Sequence, residues 1–261
     1  MTTNLEAERR EQAKWRPLPQ SRQLRGFNAL RETEFLPENA QQAQQAAQLK
    51  DTLTFAVARV PYYRDLFARL NLTVEDFRGA HDLVKLPLLS KLDLVQEGRR
   101  LHAEHLPAGE HLLGYTASSG TTGRPAKVLQ TRRNNMMFTY LAQRQIRWAR
   151  NDPMGKQAEL RLPSQFPRKA DGSLYAIGET CHLPHWRYLG RFFETGPYCA
   201  FSVFNPVERQ VEWLLEQQPA YLTAYSETLE QLALAARDLP EKPTSLRALR
   251  AISEQLTDGM R

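Results

Sequence analysis

The sequence predicts an α/β fold, and three observations carry that expectation. Short apolar or alternating runs of strand length recur at 111–117, 126–131, 158–162, 201–204, 221–225 and 248–252. Between them lie stretches in which apolar residues return every three or four positions, the period of a helix with one buried face. At 261 residues with 41% hydrophobic side chains, the chain is able to bury a proper core. Helices alternating with short strands imply a substantially parallel sheet, in which ligands gather where loops leave the strand ends.

Taken in order, residues 1–36 are polar and Arg-rich, interrupted by Pro17 and Pro19, and read as a partly ordered arm. Residues 37–59 are rich in Gln, Ala and Leu, which lose little entropy in a helix, so one long helix is expected with Leu49, Leu53 and Ala56 or Val57 inward. Pro61 stops it and a second helix follows over 62–70. After Leu86 and Pro87, Ser90 is placed to cap a third helix, with Asp93 completing a capping box. Residues 37–110 thus form a helical N-terminal region, and 111–261 an α/β ligand-binding region.

Within that region a loop joins the strands at 111–117 and 126–131. A helix spans 132–150, where Met136, Met137, Tyr140, Leu141, Arg144 and Trp148 recur at helical spacing and read as packing. Then come the strand at 158–162, a loop over 163–175, and the strand at 201–204. An amphipathic helix over 206–217 turns Val207, Val211, Leu214 and Leu215 inward. The strand at 221–225 leads to Ser226, which caps a helix running to Arg237, and 248–252 is the last strand.

Charge and composition exclude several function classes. The 35 basic and 29 acidic residues leave a net charge of +6, but they are interspersed, so the surface is solvated with at most a basic mouth for an anion. No basic stripe or reading motif points to nucleic acid. No apolar run approaches the roughly 18 residues a membrane span needs, and the N-terminus has no signal core, so a cytoplasmic protein is expected. Cys181 and Cys199 make no disulfide framework and read as reduced thiols.

The richest chemistry lies in the loop at 118–125. Ser118, Ser119, Gly120, Thr121, Thr122 and Gly123 form an unbroken hydroxyl and glycine run, with Arg124 and Lys127 at its exit. Glycine lets backbone N–H groups turn toward a ligand, and the hydroxyls add donors, which together suit phosphate oxygens. An ordinary turn needs fewer such residues. The Walker pattern is absent, because Arg124 and Pro125 follow Gly123 and the next segment reads as strand.

The run SSGTTGRP resembles the signature of the adenylate-forming superfamily, which holds acyl-CoA synthetases, luciferases and peptide-synthetase adenylation domains. Many members carry Lys after the Pro, where this chain has Ala126 and places Lys127 one later. That departure, the VPYYR string at 60–64 and the LxxLPxxxKxDL pattern at 83–94 are all similar to the phenylacetate-CoA ligase-like group. The resemblance implies the N-terminal part of an adenylate-forming large domain, with Ser118 through Gly123 and Lys127 on the phosphates of ATP. It implies Mg²⁺ with the nucleotide, a small-molecule carboxylic acid activated as its adenylate, and coenzyme A as acceptor. At the C-terminal end Ser253, Glu254 and Leu256 match the family's turn beside the nucleotide, with Gln255 where Pro is usual, so Ser253, Glu254 and Gln255 become nucleotide contacts. Relatives continue beyond that turn, so the chain is expected to be an N-terminal portion, lacking the rest of the large domain and the C-terminal lid.

Cys181, His182, His185 and Cys199 are metal-competent, but their spacing fits no common ligand pattern and no metal is expected. The aromatic and imidazole density of Tyr175, His182, His185 and Trp186 instead suggests the wall of an acid pocket. No general base is identified, and no oligomeric state is written in the sequence, a homodimer being compatible with it. Two alternatives stay open: a non-catalytic nucleotide-binding or interaction module on the same scaffold, and an adenylating enzyme of polysaccharide or secondary-metabolite assembly.

Overall fold

A computed structural model describes residues 13–19, 24–117, 127–253, 255 and 257–260. The chain divides into two compact units, one of Gly26–Leu141 and one of Met1–Arg25 with Ala142–Arg261. Secondary structure is α/β, as expected.

In the unit Gly26–Leu141, α1 (Leu24–Thr33) lies within the stretch read as an arm, and its Phe27 is buried against the Tyr140 ring at 4.6 Å. The expected long helix is α2 (Glu38–Arg59). It ends at Val60, held extended because a following proline disfavours the helical region, and Pro61 then opens α3 (Pro61–Leu70), where its missing N–H costs nothing. Leu53, Phe67 and Phe77 are the buried centre, with Leu49 and Val57 packed around them. Ser90 caps α4 (Lys91–Glu97) as expected: its Oγ accepts from the Asp93 N–H at 3.2 Å, and the Asp93 carboxylate accepts from the Ser90 N–H at 2.7 Å. Hydrogen bonding from the Ser90 side chain, then from its backbone N–H, holds the Asp93 carboxyl below the usual range.

The two expected strands β1 (Leu112–Ala117) and β2 (Lys127–Thr131) pair antiparallel, Ala117 opposite Lys127. A register shift at Leu112/Gly114 puts Gly114 at φ 144°, which a side chain rarely tolerates. β2 leads directly into α5 (Arg132–Trp148).

The other unit is built on a sheet of β3 (Gln157–Arg161), β4 (Cys181–Leu183), β5 (Tyr198–Ser202), β6 (Tyr221–Tyr225) and β7 (Ala248–Ile252) in the order β4-β5-β3-β6-β7. All neighbours are parallel except β4 on β5, an antiparallel edge that the sequence reading did not foresee. Pro184, without an N–H to donate, follows β4 immediately. β5 starts three residues before the expected 201–204, because Tyr198 to Ala200 are fully buried strand residues.

Successive residues face opposite sides of the sheet. One face carries Ala158, Leu160, Cys199, Phe201, Leu222 and Ala224 into a core with α6 (Val207–Gln217) and α7 (Ser226–Ala236). There Trp213 stacks on Phe201, centroids 5.2 Å apart and planes 8° from parallel. The α7 cap is Tyr225, one residue earlier than expected, and Ser226 is the first helical residue, fully buried. Trp15, from the expected arm, packs edge-on to Trp186 and Phe193 beside the Pro17↔Phe193 bridge. No helix among the described residues is long and apolar enough to cross a membrane.

Both cysteines are free and buried, and burial pushes the Cys199 thiol up to about 12 and raises Cys181. Neither thiol is expected to react with a disulfide reagent at pH 8 in the native state, whereas both react in denaturant; rapid native labelling would contradict this packing. The sign follows from a raised pKa: the contribution of Cys199 to stability is complete below about pH 8.5 and is lost as pH rises towards 12.

Candidate functional site

The parallel order creates a crevice within the sheet-bearing unit. The chain leaving β3 runs to β4 and β5 on one side, and the chain leaving β6 runs through α7 to β7 on the other. Connections therefore part between the C-terminal ends of β3 and β6, the position at which open parallel sheets receive ligands.

Arg161 and Tyr225 end those two strands, the guanidinium carbon lying 6.0 Å from the Tyr225 ring centroid. The Tyr225 hydroxyl donates to Gln165 Oε1 at 3.2 Å, and Arg187 Nη1 donates to the Gln165 carbonyl. On the same face Glu159 is 7% exposed and accepts from the Tyr198 hydroxyl at 2.9 Å. Burial, then the Glu159 charge, pushes the Tyr198 phenol far above its ordinary range, so it remains a donor. Arg250 donates to Gln145 Oε1 at 2.7 Å, and burial is the first cause of its lowered pKa. A cavity of about 350 Å³ opens beside it, lined in part by Gln145, Tyr221, Thr223, Arg250 and Ile252. Tyr198→Phe removes the phenol from a buried carboxylate and is expected to cost about 2 kcal/mol, read from urea unfolding; an unchanged midpoint would remove the pair from the account of stability.

Ser118, Ser119, Gly120, Thr121, Thr122, Gly123 and Glu254 lie outside the described residues. Lys127 opens β2, exposed, with Nζ 4.7 Å from the Tyr115 ring centroid. Ser253 follows β7 at φ 65°, and Gln255 is exposed. Tyr175 is half-buried, its ring 6.1 Å from Phe166, and a hydrogen bond with Cys181 is the first cause of its raised pKa.

His182 is exposed on β4, and His185 Nδ1 lies 3.2 Å from the Trp186 carbonyl. Trp186 is 1% exposed, donates to the Gly155 carbonyl at 2.9 Å and packs edge-on to Tyr221, which makes it a core residue of this unit. Among the described residues no group of three or more His, Cys, Asp or Glu side chains is placed to hold a metal ion. Sequence reasoning passed over Glu159, Arg161, Gln165 and Arg250. The available signal was the charged alternation within the apolar strand at 157–161.

No protein-family model matches the chain. It is 32% identical over 121 residues to a phenylacetate-coenzyme A ligase of Thermus thermophilus, covering 44% of this chain and 25% of that protein. A second phenylacetate-coenzyme A ligase, from Escherichia coli, is 35% identical over 115 residues, covering 44% and 26%. Among solved structures, a 2-hydroxyisobutyryl-CoA ligase in complex with 2-HIB-AMP and CoA matches with a TM-score of 0.59 at 20% identity, covering 84% of this chain and 44% of that one. The same ligase in its postadenylation state with 2-HIB-AMP matches with a TM-score of 0.61 at 18% identity, covering 82% and 43%. The chain therefore spans about a quarter of the length of these curated relatives and under half of these solved chains.

Proposed function

We propose that this chain, a partial relative of the adenylate-forming ligases of the phenylacetate-CoA ligase-like group, supplies the nucleotide-phosphate and acid-binding part of an ATP-dependent acid–thiol ligase. The observation that carries the reading is the β1–β2 hairpin. Ala117 and Lys127 are register partners, so the segment SSGTTGRPA is bracketed by paired strands. Bracketing fits a phosphate cradle, since it fixes both ends of a glycine and hydroxyl run.

ATP bound there supplies the α-phosphorus that the acid's carboxylate attacks, with pyrophosphate leaving and a thiol such as coenzyme A taking the acyl group. Ser118, Ser119, Thr121 and Thr122 offer hydroxyl donors to the departing phosphates, and Lys127 adds a fixed positive charge at the exit. Mg²⁺ arrives with the nucleotide. Ser253, Glu254 and Gln255 flank the nucleotide, and Tyr175, His182 and His185 remain the candidates for the acid's surroundings. The carboxylate is already ionised at neutral pH, so these residues orient and neutralise charge and need not remove a proton. A cytoplasmic location goes with this reading, as does a small-molecule acid partner.

Hydrogen–deuterium exchange with and without ATP and Mg²⁺ tests it. Protection is expected over 115–127, and an unchanged exchange pattern there overturns the reading. Protection without acid-dependent exchange of labelled pyrophosphate into ATP would instead favour the nucleotide-binding module.

A further inference from the structure

Arg161 ends the central strand where the sheet's connections part, and its Nε donor is unmet. The Nε is buried with no hydrogen-bond partner, and among the described residues the guanidinium has no ion pair, only the Tyr225 ring beside it. Gln165 links this ring to a second arginine, accepting from Tyr225 on its side chain and from Arg187 on its carbonyl. Arg250 is a third cation close enough to be felt: after burial, the Arg161 charge contributes to lowering its pKa, while Glu159 opposes. Among the described residues one buried carboxylate, Glu159, stands against these three, and it already accepts from Tyr198.

Among the described residues positive charge is thus in excess on this face of the sheet. A buried guanidinium N–H without a partner costs free energy that an anion meeting the same fork offsets. The guanidinium's planar fork matches two oxygens of a carboxylate or a phosphate, and stacking against a ring holds the fork in one plane.

We propose that Arg161, assisted by Arg187, forms an oxyanion-receiving subsite between the C-terminal ends of β3 and β6, taking a carboxylate or phosphate group of the ligand. The subsite itself does not depend on the functional reading above; only the naming of its ligand does. Under that reading the group is a second carboxylate on the acid, which makes the acid a dicarboxylate, or a phosphate of the nucleotide.

Calorimetric titration of the chain with glutarate, with the uncharged glutaramide and with pyrophosphate separates the sources. Saturable binding of glutarate but not glutaramide supports the subsite with a dicarboxylic acid as its ligand. Binding of pyrophosphate alone supports it with a phosphate. In either case Arg161→Gln is expected to weaken the affinity about ten-fold, with Arg161→Lys intermediate, because lysine keeps the charge and loses the fork. Absence of saturation by both anions at millimolar concentration overturns the proposal, as does an affinity unchanged in R161Q. Should R161Q lose its native circular dichroism, the wild-type titrations and Arg187→Gln, with affinity expected to fall, decide the question. Anion binding that survives while ATP leaves 115–127 unprotected would remove the ligase reading and keep the subsite. The reverse result would remove only the subsite.

Discussion

Trp213→Ala is expected to destabilise the sheet-bearing unit by about 4 kcal/mol, the largest effect of any single substitution considered for this chain. The indole is 1% exposed and lies flat on Phe201, centroids 5.2 Å apart, so its removal leaves a cavity over the middle of β5. It also leaves Thr180 without the indole N–H that donates to its Oγ1 at 3.0 Å. Around it Leu160, Val211, Leu214 and Leu222 are themselves fully packed, with little freedom to collapse into the gap. Urea unfolding followed by far-UV circular dichroism measures the loss. Trp213→Phe keeps an aromatic ring on Phe201 while forfeiting the hydrogen bond, and is expected to cost about 1–2 kcal/mol. A loss below about 1 kcal/mol for the alanine variant would show that α6 is not anchored through this ring.

Thr122→Ala, or Thr121→Ala, is expected to slow acid-dependent exchange of pyrophosphate into ATP about 100-fold, the cost of removing one preorganised donor from developing negative charge, roughly 3 kcal/mol. Under the proposed function these hydroxyls meet oxygens that gain charge as pyrophosphate departs, so the loss is expected in the rate more than in the binding of the acid. Each substitution deletes a hydroxyl and a methyl without changing charge, and the β1–β2 pairing from Ala117↔Lys127 to Thr116↔Val128 is main-chain, so the fold is expected to persist. Unaltered exchange in both variants would take the phosphates away from this loop and with them the ligase reading.

Much of the fold was legible residue by residue. The helix ending before Pro61, the Ser90 and Asp93 capping box and the strands at 221–225 and 248–252 came from local chemistry: a proline ring, a hydroxyl beside free N–H groups, and alternation. What was missed depended on partners distant in sequence. β4 is three residues long, too short for any periodicity, and exists because β5 lends it a ladder. Trp15 reads as part of a polar arm until Trp186 and Phe193 are seen to enclose it. Trp186 looked like a pocket aromatic from its neighbours in the chain and is a core residue because Gly155 and Tyr221 surround it.

By itself the sequence determined the α/β class, the order of most elements, the candidate phosphate segment and the resemblance to adenylate-forming ligases, because each is written in spacing or in residues adjacent along the chain. Only the tertiary structure decided that Glu159 is buried with Tyr198 39 residues away, and that Arg161, Gln165, Arg187 and Tyr225 share one end of the sheet. The reason is physical: strand order and register set which polar side chains leave water together, and neither quantity is local.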